Sequence, residues 1–488
     1  MIGHKVALGA AHLAAFQLSG KVLDMVSVVV LARMLVPEDF GVVALATSAM
    51  LVAATVTELP VIDVLVQRKV LEAKDIDAAF TLNFLRGIVV LALLVALAFP
   101  LAIVYSDERM ASAVFVLAAV PFLKSLESPA IVHSLRRIDY SPTANILLVG
   151  KIVGNLSSII LALLWQSYWA LILGLVISAG VSTIYSYLLC PYRPAIRFAG
   201  VGLILRFAGW VTASRVVFTL NQQGDRFFIG YILGKAPLGQ YAMGSEIASM
   251  ATYALATPAL RPIFSAMSRI QSDVVRLRAA YIQSQQAVMM LILPFGVVVA
   301  AVAADLVPLL LGEGWEMVVP LIWWLAPVIA LQMMAIPVQA LAMAQGKPRM
   351  LTVRETIALV LRLPTTLVSA WFFGFLGAVI ARALTGIIVI LMNLFIARSL
   401  IGVSLATQIF GCWRSILSAT LMAAAVLLSG RMVPVPESSL LQFLRTFGMI
   451  ISGLSLYGAL HLCLWLAAGR PEGPETFAIG MTKSKSKV

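Results

Sequence analysis

The sequence predicts an all-α polytopic membrane protein of about fourteen transmembrane helices: two six-helix lobes and a C-terminal helix pair. Three observations predict it. Of 488 residues, 61% are hydrophobic and 12% charged, with a mean hydropathy of +0.99, whereas a soluble domain is roughly 45–50% apolar and about 25% charged. Apolar runs of about 20 residues, enough to cross a hydrocarbon core of about 30 Å, recur from end to end with no long polar stretch between them. The runs are continuous and not alternating, so they read as helices pairing their own backbone groups and not as barrel strands.

In chain order the spans are expected near 10–34, 40–66, 78–104, 111–133, 144–164, 168–190, 207–233, 238–262, 284–311, 318–344, 352–372, 375–397, 411–429 and 446–467. The first is a span and no cleavable leader, because Val6–Leu18 runs past Lys21 and Asp24 into Val26–Leu35 without a small-x-small cleavage site. Charge then sets the direction. Twenty-one basic residues fall on one side, among them Lys5, Arg68, Lys69, Arg136, Arg137, Arg276, Arg278, Arg414, Arg470, Lys483, Lys485 and Lys487; only Arg33, Arg109, Lys235, Arg431 and Arg445 fall on the other. The positive-inside rule therefore places both termini of a multi-pass membrane protein in the cytoplasm, and the net charge of +13 calls for no nucleic acid. The basic tail TKSKSKV reads as a solvated end near anionic headgroups. Ile270, Val274, Leu277 and Tyr281 recur at helical spacing in SRIQSDVVRLRAAYIQ, 268–283, which reads as a short connecting helix on the inner leaflet. Cys190, Cys412 and Cys463 are far apart and lack C-x-x-C spacing, so neither a disulfide frame nor a metal site is indicated.

The turn LVPEDFGVVA, 35–44, has an echo in LGKAPLGQYA, 233–242. A shift of 198 places Leu35 on Leu233, Gly41 on Gly239 and Ala44 on Ala242, and SYWALILG at 167–174 overlays FLGAVIAR at 375–382 with a shift near 208. The expected organisation is an N-lobe at 1–200, a C-lobe at 201–400 of the same topology, spans 13 and 14 at 401–468, and a cytoplasmic tail at 469–488. Two parallel lobes enclosing a cavity are the layout of an alternating-access transporter.

LARMLVPEDFGVVALA, DRFFIGYILGKAPLGQYAMG and PALRPIFSAMSRIQSD, in that order, resemble the polysaccharide-transporter branch of the MOP flippase superfamily. The resemblance covers about the first 400 residues and implies two lobes in a V around a central cationic cavity. It also implies a substrate, a lipid-linked oligosaccharide carried across the bacterial inner membrane for polysaccharide synthesis. Besides membrane lipids, it leaves room for a polysaccharide polymerase and export machinery as partners. No short motif marks the cavity, so no residue carries over to it.

Candidates for the cavity come from the charges themselves. Inside the expected spans lie Lys21, Arg86, Lys124, Lys151, Arg215, Arg226, Arg261, Arg362 and Arg382, with the acids Asp24, Glu58, Asp63, Glu127, Asp225, Glu246, Asp305 and Glu355. Each costs at least about 2.5–3.5 kcal/mol at the centre of a lipid-facing helix, so it should face a cavity or a partner. Glu58, Asp63, Lys151, Arg261, Asp305 and Glu355 stand near span ends, where snorkelling is the better reading. Lys21 with Asp24, and Lys124 with Glu127, sit one turn apart, either as cavity groups or as self-neutralising pairs. Arg215, Arg226, Arg362 and Arg382 have no acid three or four residues away and need an outside partner, an acid such as Glu246 or an anionic ligand. Arginine suits a diphosphate because its planar fork donates paired hydrogen bonds and keeps its charge. NQQGDRFF, 221–228, is unusually polar for mid-membrane, and Asn221 and Asp225 suit sugar hydroxyls or helix packing. The expected substrate-binding set is Lys21, Asp24, Arg86, Lys124, Arg215, Asn221, Asp225, Arg226, Glu246, Arg362 and Arg382, with no catalytic residue, metal or cofactor. Trp210, Trp315, Trp323 and Trp324, near span ends, read as interfacial anchors before sugar platforms.

No G-x-x-x-x-G-K-[ST] occurs, so no ATP hydrolysis is indicated in this chain. The alternative of the same fold is an ion-coupled multidrug or small-metabolite exporter, which would need acid-dominated sites. An enzyme is not expected, because the longest outer loop, 430–445, offers one acid, Glu437, and no histidine.

Overall fold

The computed structural model describes residues 19–476 apart from 69, 138, 199–200, 435, 437 and 472. Lys5, Lys69, Glu437 and the tail lysines lie outside them, as do the side chains of Arg206 and Trp210. Among the described residues every regular element is helical, and nine helices are long and apolar enough to cross a membrane, ten if one bent pair is a single span.

The chain divides into two compact units after Ala242. The first holds α1 (19–32), α2 (Pro37–Val56), α3 (Val61–Gln67), α4 (Ala73–Val104), α5 (Glu108–Leu117), α6 (Ala119–Ser125), α7 (Val132–Arg136), α8 (Ser141–Trp165), α9 (Trp169–Leu189), α10 (Val201–Leu233) and the first turns of α11 (Lys235–Ala256). This division falls 42 residues beyond the lobe boundary expected at 200, and α10 packs along α2 and finds its polar partners there. The expected fourth span is broken: Glu108–Ser125 and Pro129–Arg136 meet at 48°, with Glu127 in the break. Helices α8 and α9 pack most extensively, Gly150, Gly154 and Gly174 facing Ser182, Ser178 and Ser158, the small-residue contact that lets backbones approach in lipid.

The two echoing turns meet in this first unit. A Cβ on Gly41 would press into the Lys235 carbonyl oxygen, and one on Gly239 into the Pro37 carbonyl oxygen. Each glycine therefore faces the residue four places before the other. Ion pairs surround the crossing: Arg109 joins Glu38 and Asp107, and Lys235 Nζ lies 2.6 Å from Asp107 Oδ2. Burial pushes the Asp107 carboxyl up, but hydrogen bonds from Lys235 and Arg109 outweigh it and hold it below the usual carboxylate range.

The second unit holds the rest of α11, α12 (Leu260–Arg269), α13 (Val274–Ala301), α14 (Ala303–Leu311), α15 (Val318–Gln332), α16 (Ala335–Ala344), α17 (Arg349–Ile401), α18 (Leu405–Gly411), α19 (Trp413–Met432) and α20 (Ser439–Ala467). The inner-leaflet helix expected at 268–283 is not a separate element. Its second half is the start of α13, capped by the Asp273 carboxylate, and Leu277 and Tyr281 are fully buried against α12, α16 and α17. Helix α17 turns at Gly374, whose φ of 63° and ψ of −146° separate the two spans read there. Trp315, expected at the interface, is fully buried, while Trp323 and Trp324 are half exposed. All three cysteines are free.

Candidate functional site

Helix α10 is too polar to face lipid, and the first unit gives its polar stripe a partner along the length of α2. Ser48 Oγ donates to Gln223 Oε1 at 3.0 Å, Thr219 Oγ1 to Thr55 Oγ1 at 3.2 Å, and Thr212 Oγ1 to the Glu58 carbonyl at 2.8 Å. Arg215 forms an ion pair with Glu58, and its Nη2 lies 3.6 Å from Asp63. On α10 these rungs recur every three or four residues, at 212, 215, 219 and 223, and they meet Ser48 and Thr55 of α2 and Glu58 just beyond its end, so the two segments present matching polar faces. Polar groups in lipid need such partners, because no water is there to supply them.

The end of α2 gathers charge. Its last carbonyls lack intrahelical donors and carry the negative end of the helix dipole. Arg86 of α4 shares one of them with Thr57, its Nη2 donating to the Ala54 carbonyl at 3.4 Å where Thr57 Oγ1 donates at 3.0 Å, and it lies within electrostatic reach of both Glu58 and Arg215. Its Nε is buried with no hydrogen-bond partner among the described residues. Two guanidiniums and two carboxylates thus surround one helix end, with donor capacity left on Arg86.

Two expected residues are the other polar members of α10. Asn221 and Asp225 are buried, and Asp225 Oδ2 accepts from Tyr241 Oη at 2.7 Å. Arg226 is half-buried on the same helix. Elsewhere in this unit Asp24 pairs with Lys151 of α8, and Asn155 Nδ2 donates to it at 3.4 Å. Asp24, read either as a cavity group or as the partner of Lys21, is thus paired across helices with Lys151, and Lys21 is half-buried. Lys124 is exposed, and although it acts electrostatically on Glu127, no ion pair within 4.0 Å joins them among the described residues.

In the second unit Arg362 is buried in a stripe with Ala358, Thr366 and Ala370. One turn further along that face Arg354 binds Asn393 and Glu355. Arg382 is half-buried and Glu246 exposed. Glu246 is not the acid that answers Arg215; Glu58 and Asp63 are. Sequence reasoning set those two and Lys151 aside as interfacial. The signal that could have found them is the run Ser48 and Thr55 on α2 continued by Glu58 just past its end, facing Thr212, Arg215, Thr219 and Gln223 on α10.

Residues 30–320, which contain all three motifs of the resemblance, match the family model described as polysaccharide biosynthesis protein. The chain belongs to this family. This member of the polysaccharide biosynthesis protein family is also similar to individual proteins. It is 24% identical over 398 residues to the lipopolysaccharide biosynthesis protein WzxC of Escherichia coli (strain K12), covering 80% of each chain. It is also 24% identical over 306 residues to the succinoglycan biosynthesis transport protein ExoT of Rhizobium meliloti (strain 1021), 62% of each. The fold is that of the lipid II flippase MurJ in its inward closed conformation, with a TM-score of 0.73, 13% identity, and 94% of this chain covering 100% of that one.

Proposed function

We propose that this protein moves a lipid-diphosphate-linked oligosaccharide from the inner to the outer leaflet of a bacterial inner membrane by alternating access, for polysaccharide synthesis. Family membership, relatives named for lipopolysaccharide and succinoglycan biosynthesis, and the fold of a lipid II flippase support this reading. The observation that carries the site is the pair Arg86 and Arg215 at the end of α2, where Arg86 keeps a buried, unanswered donor. A diphosphate crossing the bilayer needs such donors, since its charges otherwise lose every partner.

Both termini lie in the cytoplasm and the echoing turns face outward. The two repeats form lobes of like topology, and the rest of the expected set, Lys21, Asp24, Lys124, Asn221, Asp225, Arg226, Glu246, Arg362 and Arg382, lines the route. The protein is a transporter and no enzyme; a polymerase and export machinery take its product. The membrane potential helps expel the anionic headgroup, at about 2.3 kcal/mol per charge per 100 mV. An ion-coupled exporter fits less well, because Asp24, Glu58, Asp63, Asp305 and Glu355 are all held by Lys or Arg.

The test is flipping of a fluorescent lipid-diphosphate oligosaccharide in vesicles carrying the full chain, read with a membrane-impermeant quencher. Protein-dependent flipping that slows when the potential is collapsed is expected. Arg86→Gln and Arg215→Gln should each slow it about tenfold, the loss of roughly 1.4 kcal/mol. No flipping above protein-free vesicles overturns the function; wild-type rates in both variants overturn the site.

A further inference from the structure

The chain reverses after its last span and sends a carboxylate back into the second unit. Gly469 and Arg470 take positive φ values of 80° and 57°, and Trp465 Nε1 fixes the turn by donating to the Pro471 carbonyl at 3.1 Å. Glu475 then reaches a site only 3% exposed. There its Oε1 stands 2.9 Å from Arg414 Nη1 of α19 and accepts from His461 Nε2 of α20 at 3.0 Å. Arg414 and His461 are themselves buried. Behind them Tyr457, whose ring centroid is 5.6 Å from that of His461, donates to the Met290 carbonyl of α13 at 2.9 Å. The transport reading uses none of these groups.

The two donors are fixed in long helices, whereas the acceptor arrives on the short segment that follows the turn after α20. Removing Glu475 would leave a buried guanidinium uncompensated, a costly state, so another anion must take its place. The flanks of the same helices say which anion is at hand: Trp413, Leu417, Leu462 and Leu466 are exposed apolar side chains on two helices long and apolar enough to cross a membrane, the kind of surface that lipid covers. Glu475 Oε2 and His461 Nδ1, both buried, have no hydrogen-bond partner among the described residues, so the carboxylate fills the pocket incompletely. A phosphate, with more oxygens, can make the same two contacts and more.

We propose that Arg414 and His461 form a phosphate-binding site at the ends of α19 and α20, that Glu475 occupies it as a tethered competitor, and that an anionic phosphate group displaces it. The headgroup of a neighbouring lipid and free phosphate share this chemistry.

The purified full chain in detergent would be titrated with dioctanoyl phosphatidic acid, with inorganic phosphate and, as control, with dioctanoyl phosphatidylcholine, reading the unfolding midpoint by tryptophan fluorescence. Tethered ligands compete at effective concentrations of about a millimolar, so Glu475→Gln should bind phosphatidic acid about tenfold more tightly than the parent, and Arg414→Gln/Glu475→Gln should lose that gain. Response to phosphatidic acid alone assigns a lipid source; an equal response to inorganic phosphate assigns a free one. No gain in folded Glu475→Gln, or a gain that survives loss of Arg414, overturns the proposal. Hydrogen exchange on the unaltered protein gives a second reading. Amides of 468–476 should exchange faster as phosphatidic acid is added, and unchanged exchange overturns it as well.

Discussion

Alanine at Gly239 sets two effects of opposite sign against each other. Inside a helix, exchanging glycine for alanine stabilises by roughly 0.5–1 kcal/mol, because the backbone has less freedom to lose. At the crossing of α2 and α11, the added methyl would run into the Pro37 carbonyl oxygen, and on Gly41 into that of Lys235. Neither obstacle is a side chain that can swing aside, so relief requires the helices to separate. Overpacking of that kind costs about 1–3 kcal/mol. The expected net result for Gly239→Ala is a loss of up to about 2.5 kcal/mol, and the same for Gly41→Ala. The double variant should lose less than the sum, since one separation makes room for both methyls. Gly448 in α20 supplies the control: a Cβ there meets nothing within 4 Å, so Gly448→Ala should raise stability by roughly 0.5–1 kcal/mol. The assay is unfolding of the full chain in mixed micelles, followed by tryptophan fluorescence. A midpoint for Gly239→Ala that rises like that of Gly448→Ala would refute the close crossing.

Three further outcomes are open to the same measurement. Arg215→Gln and Glu58→Gln should couple by about 0.2–1 kcal/mol in a double-mutant cycle, the range for pairs this exposed; additivity would sink the pair as a link between α2 and α10. Asp107→Asn should destabilise at pH 7, because a carboxyl held below its ordinary value contributes stability above the unfolded value of about 3.9 and loses it as pH falls through the folded one. The gap between variant and parent should therefore close in acid, and a gap of constant size would contradict the ionic cause. Arg445 holds Asp305 at 2.8 Å together with the Gly430 and Val433 carbonyls. Arg445→Ala should cost about 1.5–3 kcal/mol, and a change within error would make that cluster ornamental.

The spans were legible because lipid imposes one rule on every helix that meets it, and long apolar runs satisfy it visibly. The charges inside them were less so. A sequence displays neighbours three or four residues apart, but Lys151 meets Asp24 across 127 positions and Arg215 meets Glu58 across 157. Nearness to a span end made snorkelling the natural reading of Glu58 and Lys151, and only packing reveals that each has an ionic partner on another helix. Helix α13 carries the converse lesson. Its arginines read as a surface segment, yet the face opposite them, Leu277 and Tyr281, is buried without a break into the span. Glu475 was invisible for a third reason, since nothing in a short polar segment announces that it folds back.

The meeting of Gly41 with Lys235 and of Gly239 with Pro37 is unchanged when the two helices exchange names. That is how an isologous contact between identical subunits behaves, each surface patch answering its own copy. The two glycines therefore share a single mutational fate: a larger residue on either side spoils the fit for both.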